Sequence, residues 1–332
     1  MNRLFWNGEE RRLRALWRLL VWGVALMAFE GIGILFLDKA CRLPFVDGPP
    51  LLPRQEAVQY VVLLVAVIHA VLFGAYFVDR RKIGNLGLHL TRGWWLDLGA
   101  GVLLAGVIAS TCFLVEYANG WTEIVLTFKK ATPAGSFASQ IVWPLIMMAC
   151  VGVIEELMFR GYILKNLCEG LRGLGSFGMF VAILITTAAF TAVHLGNFGV
   201  TVYELSFLFM MGALVAVSWL MTGRLALAIG YHFAWNFFYL HAFGLEFGQY
   251  AGNRTTFLVS SPTGNAGYLL TAPPVPWTTL LWGAGTLIGI LIVVLWARWR
   301  NGRWIRDPRL AYPELRPRAP ESPVACADRD TT

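Results

Sequence analysis

Charge is what this chain has least of. Asp, Glu, Lys and Arg make up 14 % of its 332 residues, against 57 % hydrophobic residues and a mean hydropathy of +0.59. A soluble domain carries about 25 % charged residues, so the shortage excludes a soluble globular protein of this length. Cysteine is scarce as well. The five, at positions 41, 112, 150, 168 and 326, include no CxxC pair, which removes a disulfide framework and a cysteine zinc site. Neither an HExxH helix nor a GxSxG elbow occurs, so a zincin and a serine hydrolase of that type are not indicated. No internal repeat is visible, and with it goes the usual sign of a transporter built from duplicated halves.

What is abundant is uninterrupted apolar sequence. Runs long enough to cross a bilayer lie at Leu19 to Leu37, Val58 to Val78, Leu98 to Val115, Ile141 to Leu164, Phe177 to Leu195, Leu205 to Met221, Leu225 to Phe243 and Trp277 to Trp296. They predict an all-α, multi-pass transmembrane helical bundle of about eight spans. The first run is too long for a signal-peptide core, contains Glu30 and lacks a small-residue cleavage site, so it reads as a retained span. With the N-terminus inside, 20 of the 27 basic residues fall on the cytoplasmic side, six outside, and Arg160 within the membrane. That bias predicts a multi-pass protein of the cell membrane with both termini cytoplasmic. The net charge of +7 is then explained by topology and by attraction to anionic headgroups, with no nucleic-acid partner.

The remaining stretches divide the chain. Residues 1–14 read as a basic cytoplasmic arm at the headgroup surface, and 15–140 as three N-terminal helices with their loops. A four-span core follows at 141–244, then an external loop at 245–276, the last helix at 277–298, and a proline- and arginine-rich tail at 299–332 that is expected to be disordered. The stretch Trp121 to Phe128 is a candidate interfacial helix. Nothing in the sequence fixes an oligomeric state.

Three polar constellations interrupt the apolar core. In VIEELMFRGYIL, Val153 to Leu164, two glutamates and an arginine sit inside a span, where a charge is costly unless paired or used. On an α-helix Glu156 and Arg160 share a face and can form an ion pair, while Glu155 points about 100° away without that partner. In the next span Phe190 and His194 stand four apart, and in span seven His232 and Asn236 do the same. Taken together these residues supply peptide hydrolysis. Glu155 can act as general base on a water, His194 can hold that water or move its proton, and His232 with Asn236 can donate to the oxyanion of a tetrahedral intermediate. Glu155, His194 and His232 also form a His2Glu set of the kind that binds catalytic zinc. The metal-free glutamate mechanism is favoured, because Asn236 beside His232 makes a pair of oxyanion donors.

The pattern Glu155-Glu156-x-x-x-Arg160, Phe190-x-x-x-His194 and His232-x-x-x-Asn236, each on its own span and in this order, resembles the three motifs of the CPBP family. This is the CAAX-protease and bacteriocin-processing (Abi) family of intramembrane proteases, which includes the type II CAAX prenyl endopeptidases. The resemblance covers about Ile141 to Gly244. It implies an eight-helix-type membrane endopeptidase with a catalytic cavity inside the bilayer. Glu155 and His194 would activate water, His232 and Asn236 would hold the oxyanion, and the substrate would be a membrane-associated peptide or protein. Two other readings use the same side chains: a non-enzymatic immunity or scaffold protein, and a proton-coupled transporter.

Overall fold

The computed structural model describes residues 4–43, 51–196, 200–245, 254–263 and 277–302, together with residues 310, 312 and 315. It is a helical bundle, because a chain this apolar must satisfy its backbone amides and carbonyls within each segment that crosses lipid. The helices are α1 (Ala15–Lys39), α2 (Pro53–Phe73), α3 (Arg92–Ala118), α4 (Phe137–Glu156), α5 (Gly175–Ala192), α6 (Val202–Thr222), α7 (Ala226–Phe237) and α8 (Trp277–Asn301). Local sequence sets several of their starts. Thr91, Ser136 and Thr201 cap α3, α4 and α6 through their side-chain oxygens, and proline opens α2.

Seven of the eight helical segments are long and apolar enough to span a membrane. The eighth, α7, is shorter. The run Leu225 to Phe243 forms twelve α-helical and five π-helical residues (Phe238–Ala242), about 25 Å at 1.5 Å per residue. This short helix can be accommodated because it is wrapped by its neighbours, and Leu227, Tyr231, Ala234 and Trp235 are buried in one continuous apolar core.

Glycines set how closely α7 is held. A Cβ on Gly101 of α3 would run into the carbonyl oxygen of Leu227, and one on Gly230 of α7 into that of Leu98. The two helices therefore pack backbone to backbone, as small residues allow between membrane helices.

One end of the bundle is closed by a buried ionic network. Arg12, Arg18 and Arg81 reach Glu169 at 2.9, 3.0 and 3.1 Å, and Lys165 reaches it at 3.3 Å. Arg18 and Arg81 also pair with Asp79, at 3.2 and 3.0 Å. The N-terminal arm thus differs from the expected surface segment. It forms a two-stranded turn, β1 (Trp6–Asn7) with β2 (Arg12–Leu13), and buries Arg12 because a partner carboxylate, Glu169, waits on the helical segment Lys165–Gly170. The described part of the tail joins this end: Lys165 donates to the carbonyls of Leu310 and Tyr312 at 3.2 and 3.3 Å.

At the other end the structure again departs from expectation. Residues predicted as an interfacial helix form a strand, β3 (Thr122–Lys129), paired antiparallel with β4 (Thr256–Pro262). TEIVLTFK is rich in β-branched residues, Thr122, Ile124, Val125 and Thr127, with Phe128 beside them, and a partner as distant in the chain as Thr256–Pro262 was not visible to local reasoning. Of the expected loop 245–276, Leu245 and residues 254–263 are described. The rest of that loop, and most of the expected tail, lie outside the described residues.

Candidate active site

The site begins with a close approach of α4 to α7. A Cβ on Gly152 would lie 3.1 Å from the amide nitrogen of Phe233 and 3.3 Å from the carbonyl oxygen of Ile229. One turn further along α4 come Glu155 and Glu156, and across from them on α7 stands His232. From Leu157 to Leu164 the helix widens to π geometry before resuming as Lys165–Gly170, the kind of local irregularity found at functional positions.

Glu156 is fully buried and its Oε1 accepts two hydrogen bonds, from Arg160 Nη1 at 3.0 Å and from His232 Nδ1 at 2.8 Å. The first is the ion pair that the spacing predicted. The second crosses from α7 and is invisible in the sequence. Arg160 is itself buried, donates from Nη2 to the carbonyl of Gly212 on α6 at 2.9 Å, and lies 4.5 Å over the ring of Phe190. The guanidinium therefore has a counter-charge, a carbonyl and an aromatic face, which together offset its desolvation.

Glu155 faces a different environment. Its side chain keeps 25 % of its surface and its Oε2 lies 3.7 Å from His232 Nε2, too far for a direct hydrogen bond. That oxygen has no partner among the described residues. A carboxylate can only accept, so Glu156 fixes the proton of His232 on Nδ1. In the neutral ring Nε2 then presents a lone pair towards the Glu155 carboxylate. Two acceptors facing each other need a donor between them, either a water molecule or a second proton on the ring.

His194 follows the last turn of α5 on a short 3-10 segment, Val193–Gly196. Its Nδ1 donates to the carbonyl of Phe190 at 2.8 Å, which leaves Nε2 as the uncommitted nitrogen. Phe190 is fully buried and touches both imidazoles, with ring centroids 4.9 Å from His194 and 5.9 Å from His232. Asn236 is half-buried one turn beyond His232 on α7. The structure thus gathers Glu155, Glu156, Arg160, Phe190 and His232, with His194 packed against Phe190. Sequence reasoning missed Gly152, where the absence of a side chain lets two backbones meet, and Gly212, where it leaves room for the side chains of Thr187, Phe190 and Arg160.

The donor set does not fit a zinc ion as arranged. Among the described residues no three His, Cys, Asp or Glu side chains are gathered closely enough to hold a metal. Glu155 and His232 approach each other, and His194 does not complete the trio.

Fold and site together define a multi-pass helical membrane protein with a buried carboxylate, imidazole and guanidinium cluster at its centre. Residues 137–238 match the family model described as type II CAAX prenyl endopeptidase Rce1-like. The matched segment contains all three motifs and agrees with a CPBP-type intramembrane protease. Neither the curated proteins nor the solved structures gave a match.

Proposed function

We propose that this protein is an intramembrane endopeptidase that hydrolyses a peptide bond at the membrane with a glutamate-activated water. The observation that carries the reading is the unpartnered Oε2 of Glu155, 3.7 Å from His232 Nε2, inside a segment that matches a protease family. In this mechanism Glu155 takes a proton from water while the water oxygen attacks the scissile carbonyl. His194 steadies that water through Nε2, since its Nδ1 is committed to Phe190. The carbonyl oxygen becomes an oxyanion that accepts hydrogen bonds from the Asn236 amide and from His232. His232 can donate there only from Nε2, because Nδ1 is held by Glu156, so it acts as the doubly protonated ring. The proton on Glu155 then passes to the leaving amine as the C–N bond breaks.

Three further features belong to the proposal. The substrate is a membrane-associated chain ending in a CAAX sequence, as the family description suggests. Both termini face the cytoplasm, supported by the 20 basic residues on that side against six on the other. No metal takes part. The test is to incubate the purified protein in vesicles with peptides ending in CAAX, prenylated and unprenylated, and to separate the products. Cleavage supports the endopeptidase. Intact peptides of both kinds beside folded protein would count against it.

A further inference from the structure

β3 has a composition that water would not tolerate in its setting. All six positions from Glu123 to Phe128 are exposed, and four of them, Ile124, Val125, Leu126 and Phe128, are large and apolar. Alternate residues of a strand point to opposite faces, so β3 is uncovered on both. β4 pairs with one edge, and among the described residues no strand pairs with the other. In water such a strand is a template for aggregation. In the acyl core its free edge would leave backbone groups without partners. The boundary between headgroups and acyl chains satisfies both demands.

Continuity with the lipid-facing surface identifies what covers it. β3 follows α3, whose Leu103, Val107, Leu114 and Tyr117 are exposed, and leads into α4, whose Val142 and Leu145 are exposed. Tyr117 and Trp121 stand at the first junction, where amphipathic aromatic rings mark a membrane interface. At the far end Lys130 turns its Nζ to the carbonyls of Pro133 and Gly135, at 3.0 and 3.1 Å. Phe128, with φ at 52°, sets its ring against Phe137 and Phe257, at 5.3 and 6.0 Å between centroids.

We infer that β3, with the cluster of Phe128, Phe137 and Phe257, lies in the headgroup–acyl boundary as an in-plane anchor, with phospholipid covering its exposed faces. The anchor is tied to the helix that carries His232. Ser260 of β4 donates from its amide to Gly244 at 3.3 Å and from Oγ to Phe243 at 2.6 Å, and His241 binds the carbonyl of Thr255 at 3.0 Å. This assignment does not depend on the proposed chemistry.

The test uses the full chain with Cys41 and Cys326 replaced by serine, the three remaining cysteines being buried. A bimane label is placed by Val125→Cys, by Leu126→Cys, or by Val107→Cys as a deep reference on α3. Each protein is reconstituted in phosphatidylcholine vesicles. Labels at 125 and 126 should be quenched more by lipid carrying a nitroxide near the headgroup than by lipid carrying it near the chain end, and 107 should show the reverse. Strong quenching by aqueous iodide with indifference to both lipids would overturn the inference and leave the sheet free for a soluble partner. A depth profile identical to that at 107 would also overturn it, by placing the strand in the acyl core.

Discussion

Glu156 of α4 and His232 of α7 share a 2.8 Å hydrogen bond through His232 Nδ1, and the same carboxylate oxygen receives Arg160 at 3.0 Å. One buried oxygen thus fixes the imidazole and balances the guanidinium. Its neighbour Glu155 is left with an unpartnered oxygen on the open side of the same ring. The adjacent glutamates therefore have different failure modes.

Removing the buried charge should cost stability. Glu156→Gln leaves Arg160 without its counter-charge, a penalty of about 3–5 kcal/mol for a broken buried pair. Folded yield and melting temperature in detergent should fall, and Arg160→Met should behave alike. The double variant Glu156→Gln with Arg160→Met should melt above either single one, since it buries no isolated charge. Strictly additive losses would show that the two residues are not coupled.

Close packing of α4 on α7 makes Gly152 a sensitive position. Gly152→Val drives side-chain atoms into the backbone at Ile229 and Phe233, separating Glu155 from His232. Turnover should drop more than folded yield does. Gly99, whose Cβ would meet nothing within 4 Å, is the control, and Gly99→Val should leave both quantities near those of the parent. Equal effects at the two positions would remove the packing argument.

Glu10 gives the ionic network a pH signature. Burial raises its pKa, but the hydrogen bond from Arg172 and the charge of Arg12 outweigh it and hold the carboxyl below its ordinary value of 4.5. A carboxyl depressed by folding stabilises the protein above its unfolded pKa, and the contribution is lost as pH falls through the folded value. Glu10→Gln should therefore lower the melting temperature at about pH 7, and the difference should shrink as pH falls below the ordinary value of 4.5 and through the depressed folded value. A gap between parent and variant that stayed constant with pH would contradict the assignment.

Much of this was legible in the sequence because membrane folding leaves few choices. Apolar length located the helices, and four-residue spacing placed Glu156 beside Arg160 on one face. What was not legible depends on contacts between distant segments. The spacing of His232 and Asn236 could not reveal that His232 turns Nδ1 to Glu156. Local patterning at Trp121 to Phe128 could not reveal a strand whose partner is Thr256–Pro262. That α7 would be short and wrapped by its neighbours was not legible either, because hydropathy does not distinguish a helix buried in protein from one facing lipid. Ligand types can likewise be counted in a sequence, but whether Glu155, His194 and His232 converge cannot.

Everything proposed for the site turns on Glu155 as general base and Glu156 as its structural neighbour. The most direct measurement is turnover of a cleavable membrane peptide per folded molecule by Glu155→Gln, alongside the parent and with and without chelator. With Glu155 as the base, the variant should lose about 10²- to 10⁴-fold at unchanged folded yield and melting temperature, and parent activity should be indifferent to chelation. Normal turnover by Glu155→Gln, or activity that disappears with chelator and returns with zinc, would contradict it.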